Sequence, residues 1–385
     1  MRNRSKYKIL YLTLFPHIGG GETSLLYLIN HLNRDLFEPI VILPQPGQFS
    51  RRLAQDNISI YYQYLSPYFI RYLFIPGISL IGAFNLFRII KKIRPSLIHV
   101  NHLTLAFYAG ICGKILNIPI IATAHGPWDS YIFIQDIISY LFINKIVANT
   151  EEVAKSILKR GLIKKDKVEI IPFGVDTKYF KPGDKDQARN KLGLPKDSFV
   201  VTIVGRIDPI KDHLTFLKAA DIVIKSYSNI VFYIVGSSLG DFSNKGDSYK
   251  KAIKKFLNTH MPLAERVKFA GYIDFMPSVY QASDILVSTS LFESFSLTLL
   301  EGAASGLSLI ATNQGGANEV IKNGSNGYLI NVGDHVLLAK LILKLAKNRS
   351  LREKFGKKSR EYTLKKPSLD NYTRKIETVY LNLIK

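Results

Sequence analysis

Two carboxylates stand where carboxylates are costly. Glu293 and Glu301 lie in "VSTSLFESFSLTLLEGAASG" (287–306), among apolar and small residues and with no Lys or Arg close in sequence. An ionised carboxylate in such company needs a partner from elsewhere. "DILVSTS" reads as a strand, "LFESF" as a loop and "SLTLLEGAAS" as a helix ended by Gly306, with Ser296 as its expected N-cap. That places Glu293 in the loop and Glu301 in the second helical turn. The amino end of such a helix can hold an anion such as a diphosphate, and Glu301 can accept hydrogen bonds from a pair of sugar hydroxyls beyond it. A lone Glu on a surface helix is the plain alternative. It is weakened by the neighbours Leu299, Leu300, Gly302, Ala303 and Ala304, which belong to a buried helix.

Three other groups could join that chemistry. In "VGRIDPIKDH" a buried strand turns at Gly205, leaves Arg206 at its carboxyl end and supplies Lys211 five residues on. Arg holds phosphate oxygens bidentately and Lys acts as a point charge, although an Arg/Lys pair taken alone is ordinary surface charge. "GGGETSLLYLINHL" (19–32) opens a helix on three glycines. Such a turn suits a phosphate or a reacting sugar, and equally any strand-to-helix connection. "ATAHG" sets His125 at a strand end, where a lone histidine is more often structural. Asp184 and Asp186 form a D-x-D in "PGDKDQ", but in a polar stretch away from any strand end, so a solvated turn is expected. No His, Cys or Asp cluster has metal-ligand spacing.

The elements that must position these residues are short β-branched runs alternating with helical stretches, the pattern of parallel strands buried on both faces. Six runs fall in the first half: "KILYLTLF", "EPIVILP", "LIHVNH", "PIIATAH", "KIVANT" and "VEIIPFG". Six more follow: "SFVVTIVGR", "IVFYIVG", "RVKFAGY", "DILVSTS", "LSLIAT" and "GYLINV". Between the sets "FKPGDKDQARNKLGLPKDS" (180–198) is polar and reads as a linker, so domains at 1–175 and 176–366 are expected, with 367–385 packing back on the first. Two doubly wound sheets would meet ligands at the carboxyl ends of their strands, in a deep cleft.

Composition agrees with a globular chain: 385 residues, 47% hydrophobic and 21% charged. The single cysteine, Cys112, excludes a disulfide framework and suggests a buried thiol in a reducing compartment. The basic and apolar start "MRNRSKYKILYLTLFPHIGGGE" resembles a leader peptide, but is read as a first strand opening onto a glycine loop. The net charge of +22 is spread over both halves, with 21 Lys/Arg against 11 Asp/Glu in residues 1–180 and 31 against 19 beyond. Residues 58–94 join dense aromatics to Arg88, Lys91, Lys92 and Arg94. That is the make-up of a segment docking on an anionic membrane, or of an internal helix with a basic outer face. Nucleic acid is not expected, for none of its recognition motifs is present.

Taken together the motifs resemble the family 4 retaining glycosyltransferases, also called glycosyltransferase group 1. The paired glutamates resemble that family's signature, and "GGGET", "PSLIHVNH", "ATAHG", "VEIIPFGVDTKYFKP", "VGRIDPIKD", "VKFAGYID" and "NQGGANEVIKNGSNGYLI" follow its landmarks in order over nearly the whole chain. The resemblance implies a GT-B α/β fold, two facing Rossmann-like domains with a deep cleft, the first for the acceptor and the second for a nucleotide-sugar. It implies that Glu293 contacts hydroxyls of the transferred sugar, that Glu301 grips the ribose, that Arg206 and Lys211 stabilise the departing diphosphate, and that His125 hydrogen-bonds the donor sugar. Gly20, Gly21, Gly205, Ser294, Phe295, Ser296 and Leu297 complete the implied donor site, and Asp129 falls on the acceptor side. The family's usual glycines are replaced by Ser294, Ser296 and Asp212. With cations at the diphosphate no metal or other cofactor is expected. The implied activity is transfer of a hexosyl group to a glycan or lipid-linked oligosaccharide in cell-envelope polysaccharide assembly, at the cytoplasmic face of the membrane. A nucleotide-sugar epimerase or phosphorylase of the same fold, and a sugar-binding relative without turnover, are the alternatives.

Overall fold

The computed structural model describes residues 6–65, 76–126, 139–237, 244–366 and 368–384, and for 76–80 and 244–247 the backbone alone. The chain divides into two compact units, Met1–Phe173 with Leu369–Lys385, and Gly174–Ser368.

Unit 1 holds a seven-stranded sheet. Its strands are β1 (Tyr7–Leu12), β2 (Phe37–Leu43), β3 (Ser59–Tyr62), β4 (Leu97–Val100), β5 (Ile120–Ala124), β6 (Lys145–Ala148) and β7 (Val168–Ile170), in the order β3-β2-β1-β4-β5-β6-β7. All pairs are parallel, with Leu10 beside Ile40 on one side and Ile98 on the other. Among its helices are α1 (Gly20–His31), α2 (Gln48–Gln55), α3 (Pro76–Ile93), α4 (Ala106–Leu116) and α5 (Glu151–Leu158). Every residue of β4 and β5 is buried, as parallel strands covered on both faces require. Leu86 and Ile90 of α3 and Tyr108 of α4 pack with Ile98, Ile120 and Ile146. Cys112 is buried there, and burial pushes its thiol up to about 11.

Unit 2 holds six parallel strands: β8 (Phe199–Val204), β9 (Ile230–Val235), β10 (Val267–Gly271), β11 (Ile285–Ser288), β12 (Ser308–Thr312) and β13 (Gly327–Ile330), ordered β10-β9-β8-β11-β12-β13. The helices in chain order are α6 (Lys185–Leu192), α7 (His213–Ile224), α8 (Asn244–Asn258), α9 (Met261–Ala264), α10 (Met276–Ala282), α11 (Leu297–Ala304), α12 (Ala317–Val320), α13 (His335–Lys347) and α14 (Arg349–Lys365). In both sheets the strand order reverses beside the first strand, so chain leaving β1 and β4, or β8 and β11, borders the switch point where such folds bind ligands. The last helix, α15 (Leu369–Ile384), belongs to unit 1. Its Tyr380 hydroxyl meets Tyr11 at 3.1 Å and His99 Nδ1 at 2.6 Å.

One expectation from sequence is corrected. Residues 180–198 are not a loose linker, for α6 lies within them, and Asp184 caps it by accepting from Gln187 N at 2.9 Å. Its Arg189 is buried, donates to Asp284 at 2.7 Å and to the carbonyls of Lys196 and Ala282, while Asp284 also accepts from Val200 N. Polar composition disguised a helix tied down by a buried ion pair. Within 58–94, residues 59–62 form an edge strand and 76–93 a helix, and 66–75 lie outside the described residues. Asp129, in 127–138, does so too.

Candidate active site

In unit 2 the loops after β8, β11 and β12 converge. Lys211 Nζ donates to Glu293 Oε2 at 2.6 Å, and Ser290 Oγ donates to the same oxygen at 3.0 Å. The two loops are stitched further by backbone: Leu291 N donates to Ile210 O at 2.8 Å, and Thr289 Oγ1 donates to the carbonyls of Lys211 and Asp212. Glu293 therefore has the cation and the hydroxyl that its apolar neighbourhood demands.

Asp212 takes φ +45°, the left-handed region where glycine is at ease and Asp is tolerated. It caps α7, accepting from Thr215 N at 3.3 Å and Thr215 Oγ1 at 2.6 Å. The departure from glycine is thus accommodated by a helix cap. Gly205 packs on the Lys211 side chain, where a Cβ would stand 3.4 Å from its carbons. The turn after β9 presses on the same loop, because a Cβ on Gly236 would lie 2.0 Å from Gly205 O. Arg206 follows Gly205 at the end of β8, partly exposed and, among the described residues, without an ion pair.

The Glu293 loop rests on the turn after β12. Gly316 N donates to Glu293 O at 3.2 Å and Ser294 O at 3.1 Å, and a Cβ on Gly315 would lie 1.6 Å from Glu293 O. Neither Ser294 nor Ser296 has a positive φ, so the loop tolerates them without backbone strain. Phe295 and Ser296 are buried, and Leu297 starts α11. Ser296 occupies the N-cap position but its side chain makes no cap bond and meets Thr298 Oγ1 at 3.3 Å instead. That corrects the expected cap. Gly302 lets α11 sit against β11, since a Cβ there would be 2.4 Å from Leu286. Glu301, 4% exposed, accepts from the buried Tyr280 hydroxyl at 2.6 Å. The structure thus brings Lys211, Glu293 and the loop through Leu297 together, and holds Glu301 on the helix that this loop begins.

In unit 1, Gly20, Gly21 and His125 gather at the ends of β1, β4 and β5. Asn101 Nδ2 donates to Gly21 O at 3.2 Å, which turns its Oδ1 to His125 Nε2 at 2.9 Å. His125 is therefore the Nε2–H tautomer with Nδ1 an acceptor. Burial, with the neighbouring His102, pulls its pKa down to about 3, so it is neutral at physiological pH. A Cβ on Gly21 would meet the His125 ring at 3.4 Å, while one on Gly20 would meet nothing. The start of α1 already carries a carboxylate: Glu22 accepts from Gly19 N at 3.2 Å, from Thr13 Oγ1 at 3.1 Å and from His102 Nε2 at 2.9 Å. Burial alone would raise Glu22, but the His102 hydrogen bond and nearby histidines hold it below its usual value.

Sequence reasoning passed over Tyr280, Ser290, Thr289, Gly315, Gly316, Glu22 and His102. Ser290 and Gly315 stand in stretches that were singled out, "VSTSLFESF" and "NQGGANEV". Tyr280 carries no local signal, because its role depends on a helix that precedes β11.

Family models match in two parts: Glycosyltransferase Family 4 over residues 18–179 and Glycosyl transferases group 1 over 184–362. A UDP-Gal:alpha-D-GlcNAc-diphosphoundecaprenol alpha-1,3-galactosyltransferase of Escherichia coli is 28% identical over 86% of this chain and 85% of its own. A D-inositol 3-phosphate glycosyltransferase of Thermomonospora curvata is 30% identical over 55% of this chain, which spans about half (51%) of that relative. Among solved structures, Anabaena HepE in complex with UDP-glucose superimposes with a TM-score of 0.85 at 21% identity, covering 98% of this chain and 100% of that one. A glycosyltransferase from Rickettsia africae gives 0.82 at 24%, over 99% and 100%. With two parallel α/β sheets, both family models in chain order and these neighbours, the chain belongs to the GT-B glycosyltransferases of family 4, group 1.

Proposed function

We propose that this glycosyltransferase moves a hexosyl group from a nucleotide-sugar, with UDP as the favoured nucleotide, to a glycan or lipid-linked oligosaccharide, with retention and without a metal. The observation that carries this reading is the Lys211–Glu293–Ser290 cluster in the loops that follow β8 and β11, with Arg206 two residues beyond the end of β8. Unit 2 holds the donor. Arg206, Lys211 and the start of α11 face the diphosphate, Glu293 takes sugar hydroxyls, and Glu301, oriented by Tyr280, grips the ribose. The Glu293 carboxylate is committed to a cation and a hydroxyl, which favours hydrogen bonding to the sugar over attack on it. The step is therefore a front-face displacement. The bond from the anomeric carbon to the diphosphate breaks, the acceptor oxygen bonds to the same face, and its proton passes to the departing diphosphate. Fixed cations stabilise the charge that develops there, and orientation supplies the remainder.

Unit 1 presents the acceptor side. With Glu22 at the start of α1, a second anion is disfavoured, whereas the neutral His125 suits a sugar hydroxyl. The UDP-glucose complex of HepE and the lipid-diphosphate acceptor named for the E. coli relative favour a UDP-sugar and a lipid-linked acceptor. They also favour work in envelope polysaccharide assembly at the inner membrane face.

A thermal-shift panel of UDP-, GDP- and ADP-sugars, with and without chelator, tests the reading. A UDP-sugar is expected to stabilise the protein equally in both buffers, Glu301→Ala to lose the shift and Asp184→Ala to keep it. A chelator-sensitive shift overturns the metal-free mechanism. Conversion of the donor without any acceptor would identify an epimerase instead.

A further inference from the structure

We propose that the face of unit 1 formed by α3, α4 and Leu141 docks on an anionic phospholipid bilayer, with a groove at the ends of the two helices receiving a lipid headgroup. The proposal deepens the membrane-peripheral reading above and rests on it, but not on the donor or the sugar.

Six observations converge. Large apolar side chains stand in water where a soluble surface would keep them few: Ile81 is 61% exposed, Phe84 62%, Ile115 65% and Leu141 69%. Ile81, Phe84, Arg88 and Lys91 fall on one stripe of α3, so its apolar half runs directly into its basic half. The Arg88 guanidinium lies 6.0 Å from the Phe84 ring centre, joining the two kinds of contact. Arg88, Lys91, Lys92, Arg94 and Lys114 are all exposed, and among the described residues none is in an ion pair. The sequence holds no Asp or Glu at all between Asp56 and Asp129, so nothing local neutralises this field. Finally, a groove of about 1050 Å³ opens where α3 and α4 end, lined by Lys91, Arg94, Lys114, Asn117 and Leu141.

Within unit 1, place separates this face from the residues of the candidate site. The groove also touches Pro95, Ser96, Pro119 and Asn144, which precede β4, β5 and β6. Asn101 and His125 follow the opposite ends of β4 and β5. No helix among the described residues is long and apolar enough to cross a membrane, so association through this face would be interfacial, with apolar side chains at the headgroup level and cations among the phosphates. A free phosphate would use the cations alone and leave the apolar stripe unexplained. A membrane uses both.

Flotation with vesicles decides the matter, using the full chain. Vesicles of phosphatidylglycerol and phosphatidylcholine are expected to carry the protein, and pure phosphatidylcholine far less. Each cation contributes about fivefold to partitioning, so the triple variant Arg88→Ala, Lys91→Ala, Lys92→Ala should bind about a hundredfold more weakly. Ile81→Ser with Phe84→Ser should also release it, because exposed positions change little in the fold. All variants should keep their UDP-sugar thermal shift. The proposal is overturned if both vesicle types bind alike, if the triple variant stays within threefold, or if glycerol phosphate at matched ionic strength displaces the protein. It falls also if Phe84→Ser instead dissolves a dimer of a protein that binds no vesicle. An unmutated chain that binds no anionic vesicle yet shows the UDP-sugar shift refutes the docking face alone. An unmutated chain that binds anionic vesicles without the shift refutes the donor site alone.

Discussion

Gly315 offers the sharpest test of how Glu293 is held. Its φ of +47° is left-handed, and a Cβ there would stand 1.6 Å from Glu293 O. Carbon and oxygen need about 3.3 Å, so Gly315→Ala must part the two backbones by roughly 2 Å. The parting breaks the bonds from Gly316 N to Glu293 O and Ser294 O, each contributing about 1 kcal/mol. The left-handed alanine adds about 1–2 kcal/mol of strain, so a stability loss of about 3 kcal/mol is expected. Function should suffer more, because a shift of about 1 Å in a positioning group costs about a hundredfold in rate. Gly324→Ala is the control: φ is +73°, but a Cβ there meets nothing within 4 Å. It carries the strain without the collision. Sugar transfer by both variants, measured alongside calorimetric melting, should fall at least about a hundredfold for Gly315→Ala and hardly at all for Gly324→Ala. A Gly315→Ala enzyme within threefold of wild type would refute the claim that this turn sets Glu293.

Three further outcomes follow from the same geometry. Tyr280→Phe removes the 2.6 Å bond to buried Glu301 and should weaken donor binding about tenfold by calorimetric titration, as expected for a lost charge-assisted bond. Turnover at saturating donor should be little changed. Asp284→Ala strands the buried Arg189 guanidinium and should destabilise unit 2 by about 3–5 kcal/mol in urea, with Arg189→Met plus Asp284→Leu recovering much of it. Fully buried His99 is held at about 3 by desolvation and the neighbouring His125. The unfolded chain then binds the extra proton between pH 6.5 and 3, so stability is complete above pH 6.5 and falls on acidification by about 1.4 kcal/mol per pH unit. His99→Asn should lessen the loss between pH 7 and pH 5 in urea melts by that share, while His125, also held at about 3, keeps its own, and an undiminished loss would refute it.

The parallel sheets were legible because strands covered on both faces are written as unbroken β-branched runs, and twelve such runs coincide with twelve strands. The thirteenth, Ser59–Tyr62, is a four-residue edge strand with a single β-branched residue, Ile60, so it lacks that signature. Helix α6 escaped notice because Asp284, from far along the chain, buries its arginine, and no local pattern records a distant partner. Among residues of the candidate site, Lys211 and Glu293 stand out by type and spacing. Tyr280 and Gly315 do not, since one acts through a helix crossing and the other through a backbone collision. Asp212 shows the reverse, a departure from the family's glycine that becomes intelligible once its φ and its cap bonds to Thr215 are known.

The return of α15 to unit 1 has a consequence for biosynthesis. Tyr11, Phe37 and His99 are covered by Tyr380, which is translated only after all of Gly174–Ser368. At about 5–20 residues per second, the earlier half waits roughly 10–40 s on the ribosome with that seam open, while the later half has everything it needs to close. The domain begun first is thus finished last. A nascent chain halted before Leu369 should offer chaperones a sticky, incomplete lobe beside a completed one.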